Sequence, residues 1–535
     1  MKNISIKNLL LLGLVVFASS CSKKLDLFPQ NDLTSADVYS TAAGYRQVLA
    51  KVYGGLATTG NVGPAGASDI QGLDEGSQSP FLRGFFNCQE LPTDEAVVSW
   101  NDQTIKDFHN LSYSSADPFL KGMYARPIYN IMVANEYLRE STDEKLAARK
   151  LSADEVTAIK ATRPEARFLR AFNYWVMMDL FGRSTFITEA NAVGTNLPQE
   201  ISRGALFAYI ETELKAIETE LKNPRTNEYG RVDKAAAWAL LARLYLNAQV
   251  YTGSARWDDA ITYASKVIAG GYSLHSNYRE LFMADNDKRT NEIIYAITCD
   301  GLKARSYGNT TFFIHAAAGG DYADFGTSDG WFGYRATKGL ADRFPDLTGA
   351  TDKRAMFTTS LYGTAASQLP INDVADFSNG LHVCKWRNVR SDGQPVSDAT
   401  KYWSDIDFPV FRLAEMHLIY AEATLRGATT GNAATALTYI NALRQRAHAG
   451  SSMGDITAGQ LTLDFILDER ARELYWEGHR RTDLVRYGRL TTGTYTWPWK
   501  GGVASGTAVD SKYNLFPVPA SNRTSNPNLS QNPGF

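Results

Sequence analysis

The run WALLARLY, Trp238 to Tyr245, sets Trp238, Leu241, Ala242 and Tyr245 at the W-x2-L-G-x2-Y spacing of a tetratricopeptide first helix, with Ala in place of Gly. A second helix is expected over Trp257 to Ala269, where Ala260 and Ala264 are the small residues that close helix packing needs. The pairing recurs on both sides. Leu413 to Leu425 followed by Ala433 to Ala447, and Phe119 to Glu140 followed by Glu165 to Phe181, read as further pairs, about four in all, which stack into a curved right-handed array. Arg163-Pro164-Glu165 reads as a helix start with Pro in its first turn. Phe168, Leu169, Phe172, Trp175, Val176 and Leu180 follow at three- and four-residue steps until Gly182. Ser202 to Leu221 reads as another helix, stopped by Asn223-Pro224.

The expected fold is therefore mostly α, a tetratricopeptide-like repeat scaffold within residues 119–270 and 410–490, in a single domain spanning 36–535. Outside the scaffold the texture changes. Residues 54–110 and 273–409 are rich in Gly, Ser, Thr, Asp and aromatics, with short candidate strands such as Ile293 to Thr298 and no long helical period. Loops of that length are unusual in a compact protein unless they are functional. The partly β excursion is thus expected to form a binding face, and TSDGWFGY, Thr327 to Tyr334, lies on it with three large aromatics that no core periodicity requires.

Charge narrows the partners. Of 535 residues 21% are charged, with a formal net charge of −2, which argues against nucleic acid because phosphate binding takes a basic excess or stripe. At the N-terminus Lys2 and Lys7 accompany an apolar run, Leu9 to Phe17, followed by Ala18, Ser19, Ser20 and Cys21. That run is too short to cross a bilayer as a helix, so residues 1–20 read as an export signal. Cys21 after small residues resembles a bacterial lipoprotein cleavage site, where the thiol is acylated; secretory cleavage beside an unrelated Cys is the alternative. Residues 21–35 then read as a lipidated N-terminus and polar tether. Cys88, Cys299 and Cys384 are odd in number and far apart, so buried free thiols are expected rather than a disulfide framework.

Catalytic motifs are scarce. Gly326 to Gly330 satisfies G-x-S-x-G, but neither flank offers the strand-to-helix turn that exposes a nucleophilic Ser. Asp285-Asn286-Asp287 begins like a calcium loop, yet Arg289 and Thr290 stand where an EF-hand wants a ligand and Gly. No cofactor is expected, and bound calcium has no motif to support it. Paired carboxylates of a glycosidase stay open, since 57 Asp and Glu supply candidate pairs everywhere.

Two late segments carry a family resemblance. ERARELYWEGHRRTDLVRYG, Glu469 to Gly488, and the ending from Phe516-Pro517-Val518-Pro519 to Asn528 through Phe535 resemble the signature helix and the C-terminal motif of SusD/RagB-type outer-membrane nutrient-binding lipoproteins. ELPTDE at Glu90 to Glu95, LFMADND at Leu281 to Asp287 and WPWKGG at Trp497 to Gly502 extend the resemblance, toward the starch-binding members. Read physically, the first segment is an amphipathic helix with more charge than a solvated face needs, which suggests buried ion pairs locking the C-terminal segment to the repeats.

The resemblance implies a non-catalytic, outward-facing lipoprotein of the outer membrane. It would capture starch or malto-oligosaccharide and hand it to a SusC-type TonB-dependent transporter. It also implies an aromatic arc at Trp100, Tyr307 and Trp331, on which the apolar C–H face of glucose lies flat. Arg83 and Asp74 would supply directed hydrogen bonds. Gln103 stands where the starch-binding relative has a sugar-contacting Asn, and Asn101 lies beside it. A sibling that binds another glycan or a peptide through the same face, and a glycoside hydrolase, are the competing readings.

Overall fold

The structure, a computed structural model, describes residues 35–64, 68–191, 194, 196–320, 322–358 and 369–535. The expected export signal, Cys21 with its expected acylation, and all but the last residue of the expected tether lie outside them. In chain order the elements that position the site are α1 (Ala42–Gly54), α2 (Phe81–Glu90), β1 (Ala96–Val98), α3 (Pro118–Glu140), α4 (Ala153–Phe181), α5 (Arg203–Ile217), α6 (Lys234–Leu246) and α7 (Trp257–Ile268). The excursion follows with β2 (Ile293–Ile297), α8 (Thr310–Ala317), β3 (Tyr334–Ala336) and β4 (Phe408–Arg412). The chain then re-enters the scaffold with α9 (Leu413–Leu425), α10 (Ala433–Ala447), α11 (Leu463–Leu474) and α12 (Arg480–Arg486).

The three helix pairs named from the sequence pack as pairs: α3 on α4, α6 on α7 and α9 on α10. Contacts between α7 and α9 join repeats that are distant in sequence. In the repeat read first, Leu241, Ala242 and Tyr245 on α6 and Ala260 and Ala264 on α7 have no exposed surface. The small residues admit the facing backbone, and indole Nε1 of half-buried Trp238 donates to Glu218 at 2.9 Å. Asp117, Ser202, Asp233 and Asn432 cap α3, α5, α6 and α10, each side chain accepting a first-turn N–H.

Three expectations are corrected. The helix placed at Arg163 begins at Ala153, where Ser152 and Glu155 form a reciprocal capping box, so Pro164 is interior and α4 runs through it to left-handed Gly182. A proline N1 signal is weaker than a complete cap because the missing N–H of an interior proline can be carried by a long helix packed on its neighbours. The irregular zone 54–110 contains α2, all ten residues of which are buried; Phe81, Leu82, Phe85 and Phe86 do recur at helical spacing, but over a span short enough to be passed over among the flanking loops. The signature segment is two helices rather than one. Between α11 and α12 the backbone reverses through Trp476 at φ 60° and Gly478 at φ 80°, and a Cβ on Gly478 would sit 2.5 Å from Phe85 Cε1.

That break presents the charges of the segment to several partners at once. Glu473 meets Arg354, Arg412 and Arg446; Glu477 meets Lys385 and Arg412; Glu469 meets Arg354 and Arg444. Arg480 binds Asp94 of the ELPTDE run at 2.7 Å, and Gly478 N donates to Glu90 at 2.6 Å. The ion pairs expected from the sequence are thus buried; through Arg444 and Arg446 of α10 they tie the C-terminal segment to the repeats, as expected, and they also link it to the excursion and to α2. The final motif docks on α4, where Asn532 Nδ2 donates to the carbonyls of Phe181 and Phe516. Cys88 and Cys299 are buried free thiols as expected, whereas Cys384 is only half-buried.

Within the excursion β2 pairs antiparallel with β4, from Ile297 against Phe408 to Ile293 against Arg412. This ribbon pins the two ends of the loop-rich region together at the scaffold. No helix among the described residues is long and apolar enough to cross a membrane.

Candidate functional site

Two aromatics meet because two strands pair. β1 and β3 are antiparallel with Val98 opposite Tyr334, and Ser99 N extends the ladder to Gly333 O at 2.9 Å. Trp100 lies two residues beyond one strand and Trp331 three before the other, so the register carries both indoles to the same end of the ribbon. Trp100 Nε1 then donates to the Trp331 carbonyl at 2.9 Å. The glycines of TSDGWFGY are required here. A Cβ on Gly330 would lie 2.1 Å from Ala318 O, and one on Gly333 would lie 2.0 Å from Trp100 Cε2.

The short helix α8 supplies the third member. Tyr307 precedes its cap, Asn309, whose side chain accepts from Thr311 N. At the other end the His315 carbonyl accepts from Trp331 N at 2.6 Å and the Ala316 carbonyl from Gly333 N at 3.0 Å. The Tyr307 and Trp331 rings stand 6.3 Å apart at 43°. Both are half-buried, with Trp403 packed edge-on to Tyr307 at 4.9 Å.

Arg83 and Asp74 close the other side. Arg83, on α2, is 7% exposed. Its guanidinium lies 4.6 Å from the Phe312 centroid and 5.7 Å from that of Trp100, and Nη1 donates to Gly76 O at 2.9 Å. Nε has no hydrogen-bond partner among the described residues. Burial pushes this guanidinium down from its ordinary value while Tyr334, Asp102 and Asp74 oppose the shift. Asp74 Oδ1 accepts from Ser77 N and Ser77 Oγ, both at 2.7 Å, which fixes the turn that Arg83 holds from below.

Together Asp74, Gly76, Ser77, Arg83, Trp100, Asp102, Tyr307 and Trp331 line an open cleft of about 430 Å³. Five of the seven residues named from the sequence meet in it. Asn101 and Gln103 do not line it. Asn101 accepts from Lys106 at 2.7 Å, and Gln103, at φ 40°, accepts from Gln78 at 3.4 Å. Asp102 between them reaches the cleft instead. Sequence reasoning passed over it and Ser77, and no local pattern distinguishes either from an ordinary polar loop residue. A larger groove of about 820 Å³ runs along α1 and α4. Its most buried carboxylate, Glu165, is already held by Arg231 and Tyr53, and it has no comparable array of ring faces.

The serine-nucleophile match gains no support. Ser328 of the G-x-S-x-G match follows a short helix, Tyr322–Phe325, and is exposed rather than held at a strand-to-helix turn. Among the described residues no cluster of His, Cys, Asp or Glu could hold a metal ion. Ring faces inclined to one another beside an arginine and carboxylates can bind a polyhydroxylated chain, the rings taking apolar C–H faces and the polar groups the hydroxyls.

Comparison with known proteins gives a consistent picture. The model of the SusD family matches residues 351–535. The chain is 38% identical to the starch-binding protein SusD of Bacteroides thetaiotaomicron, with 100% of each covered. It is 26% identical to a SusD-like protein of Bacteroides ovatus over 63% of this chain and 61% of that one. Among solved structures, surface glycan-binding protein A of B. thetaiotaomicron in complex with laminarihexaose is similar, with a TM-score of 0.68 at 18% identity over 92% of this chain and 99% of that one. A SusD homolog of the same organism gives 0.71 at 18% identity over 94% and 99%. At such identities the likeness is one of fold.

Proposed function

The chain belongs to the SusD family, and from that premise we propose that it is a non-catalytic glycan-binding lipoprotein whose ligand is starch or malto-oligosaccharide. The observation that carries the reading is the cleft in which Trp100, Tyr307 and Trp331 converge beside Arg83 and Asp74. An arc of rings follows the curve of an α-glucan helix, while a straight β-1,4 chain touches one ring at a time. Acylation at Cys21 would hang the domain from the outer membrane, facing outward, and a SusC-type TonB-dependent transporter would take the released glycan. Weak capture is enough for that role, since tethering beside the transporter raises local concentration.

The test is calorimetric titration of the secreted chain, carrying Cys21→Ser, with maltoheptaose, laminarihexaose and cellohexaose. If each indole buries roughly 80 Å² of apolar contact at about 25 cal/mol per Å², Trp331→Ala loses ~2 kcal/mol, about 30-fold in affinity. Saturable heat with maltoheptaose alone, lost in this variant, is the expected result. Binding of laminarihexaose instead would move the substrate to the β-1,3-glucan found with the structural relative. Release of reducing ends from starch would make the chain a hydrolase.

A further inference from the structure

Beneath the arc lies a histidine that the binding reading does not use. His315, on α8, has no exposed surface. Its ring stacks on the Trp331 indole at 4.9 Å and 27° and packs against the Tyr402 ring at 4.6 Å. At the edge of the imidazole, Nε2 meets the Tyr402 carbonyl at 2.8 Å and Thr327 Oγ1 at 3.2 Å. Nδ1 lies 2.8 Å from Asp329 Oδ1. Two loops therefore converge on one side chain. The first, 327–333, carries Trp331. The second, 398–403, is folded around Asp398, whose carboxylate accepts from the N–H groups of Thr400, Tyr402 and Trp403, and it presses Trp403 against Tyr307.

We propose that His315 is a positioning residue for glycan binding, which sets the angle between Trp331 and Tyr307 by fixing both loops to α8. The proposal rests on the α-glucan reading above. An imidazole suits the task because its flat face covers one side of the indole, leaving the other to a sugar, while its edge binds the neighbouring loop. Phe offers the face alone, and Gln the edge alone. An arc held at a fixed angle binds with less ordering cost than one that must be assembled, so loss of His315 weakens binding of the curved glucan more than that of a ligand touching one ring.

The test uses the secreted chain carrying Cys21→Ser and labelled with 5-fluorotryptophan, the Trp331 resonance being assigned from Trp331→Phe. In His315→Gln the ¹⁹F resonance of Trp331 should shift, and maltoheptaose affinity should fall by ~10-fold, as expected for lost preorganisation. The maltoheptaose-to-cellohexaose ratio should fall with it, which general destabilisation would not cause. His315→Phe should restore much of the Trp331 resonance but not the affinity, because the Tyr402 carbonyl loses its donor. A parental resonance and parental affinity in His315→Gln overturn the proposal. If that variant does not fold, Asp329→Ala, at a carboxylate 52% exposed, is read in the same way: a shifted resonance with weaker binding supports the role, and no change in either overturns it. A parent that binds no α-glucan defeats the starch reading, and the Trp331 resonance then still decides whether His315 sets that ring.

Discussion

Gly333 has no side chain because the Trp100 indole occupies the space one would need. Gly333→Ala should move Trp100 off the ribbon and weaken maltoheptaose binding by ~10-fold or more, the contact of one ring being worth roughly 1.5–2 kcal/mol. Thermal stability should change little, because Trp100 is half-buried at a cleft rim. Calorimetry beside a melting curve reads both, and unaltered affinity would show that Trp100 is not part of the arc. Arg83 answers differently. Its stem and head pack on Phe312 and Trp100, so Arg83→Lys keeps the charge but loses the planar fork and the stacking. Weaker binding with a folded protein is expected, and a titration matching the parent would remove Arg83 from the site. The sequence showed these residues as types, aromatics and an arginine in Gly-rich loops. Their convergence depends on a β-register and on a short helix that no periodicity announced.

The break between α11 and α12 fixes more of the molecule than its length suggests. Gly478 holds a left-handed conformation 2.5 Å, measured from an added Cβ, from the Phe85 ring. Gly478→Ala should therefore cost about 2 kcal/mol or more through combined backbone strain and steric conflict. A urea midpoint unchanged from the parent would mean that the break relaxes freely. In Glu473→Gln the guanidinium groups of Arg354, Arg412 and Arg446 lose a shared carboxylate in a site with no water access. Truncating one partner of a buried ion network costs about 3–5 kcal/mol, and a smaller loss in chemical denaturation would show that the neighbouring carboxylates compensate. The charge pattern of this segment was legible as an excess over what a solvated face needs. The αL residues that split it were not, since Trp476 is not a residue that signals a left-handed turn.

Across the whole molecule, buried carboxylates of two kinds set the pH dependence of stability. Burial alone would raise the Glu473 pKa, but Arg446, Arg412 and Arg354 outweigh it and hold it at about 2. Glu422 is held at about 2 in the same way by Arg486, Arg426 and Arg470. Their folded values lie below the ordinary glutamate value of 4.5, so the stability they contribute is present above that value and is lost as pH falls toward 2. Glu90 and Glu95 form a buried pair raised by desolvation, so their contribution is present at acid pH and is lost as pH rises through the raised values. Urea midpoints between pH 2.5 and 8 should peak in the mildly acidic range and fall on both sides. A midpoint that stays level down to pH 2.5 would show that the ion network does not stabilise the fold.

By itself the sequence determined the helical repeat, because Trp238, Leu241, Ala242 and Tyr245 report a local period that packing preserves. It also marked the excursion as the binding face, although most of its aromatics, Tyr334 of the TSDGWFGY run among them, are core and only a few, such as Tyr307 and Trp331, line the cleft. Only the tertiary structure decided that every residue of α2 is buried, that α4 carries Pro164 in its interior, and that Asp102 rather than Asn101 or Gln103 faces the cleft. The difference is physical. Amphipathic periods and caps are set by neighbours within a few residues, whereas the burial of a helix on every side and the lining of a cleft are set by pairings between residues more than two hundred positions apart, such as Val98 with Tyr334, which leave no mark in the local pattern.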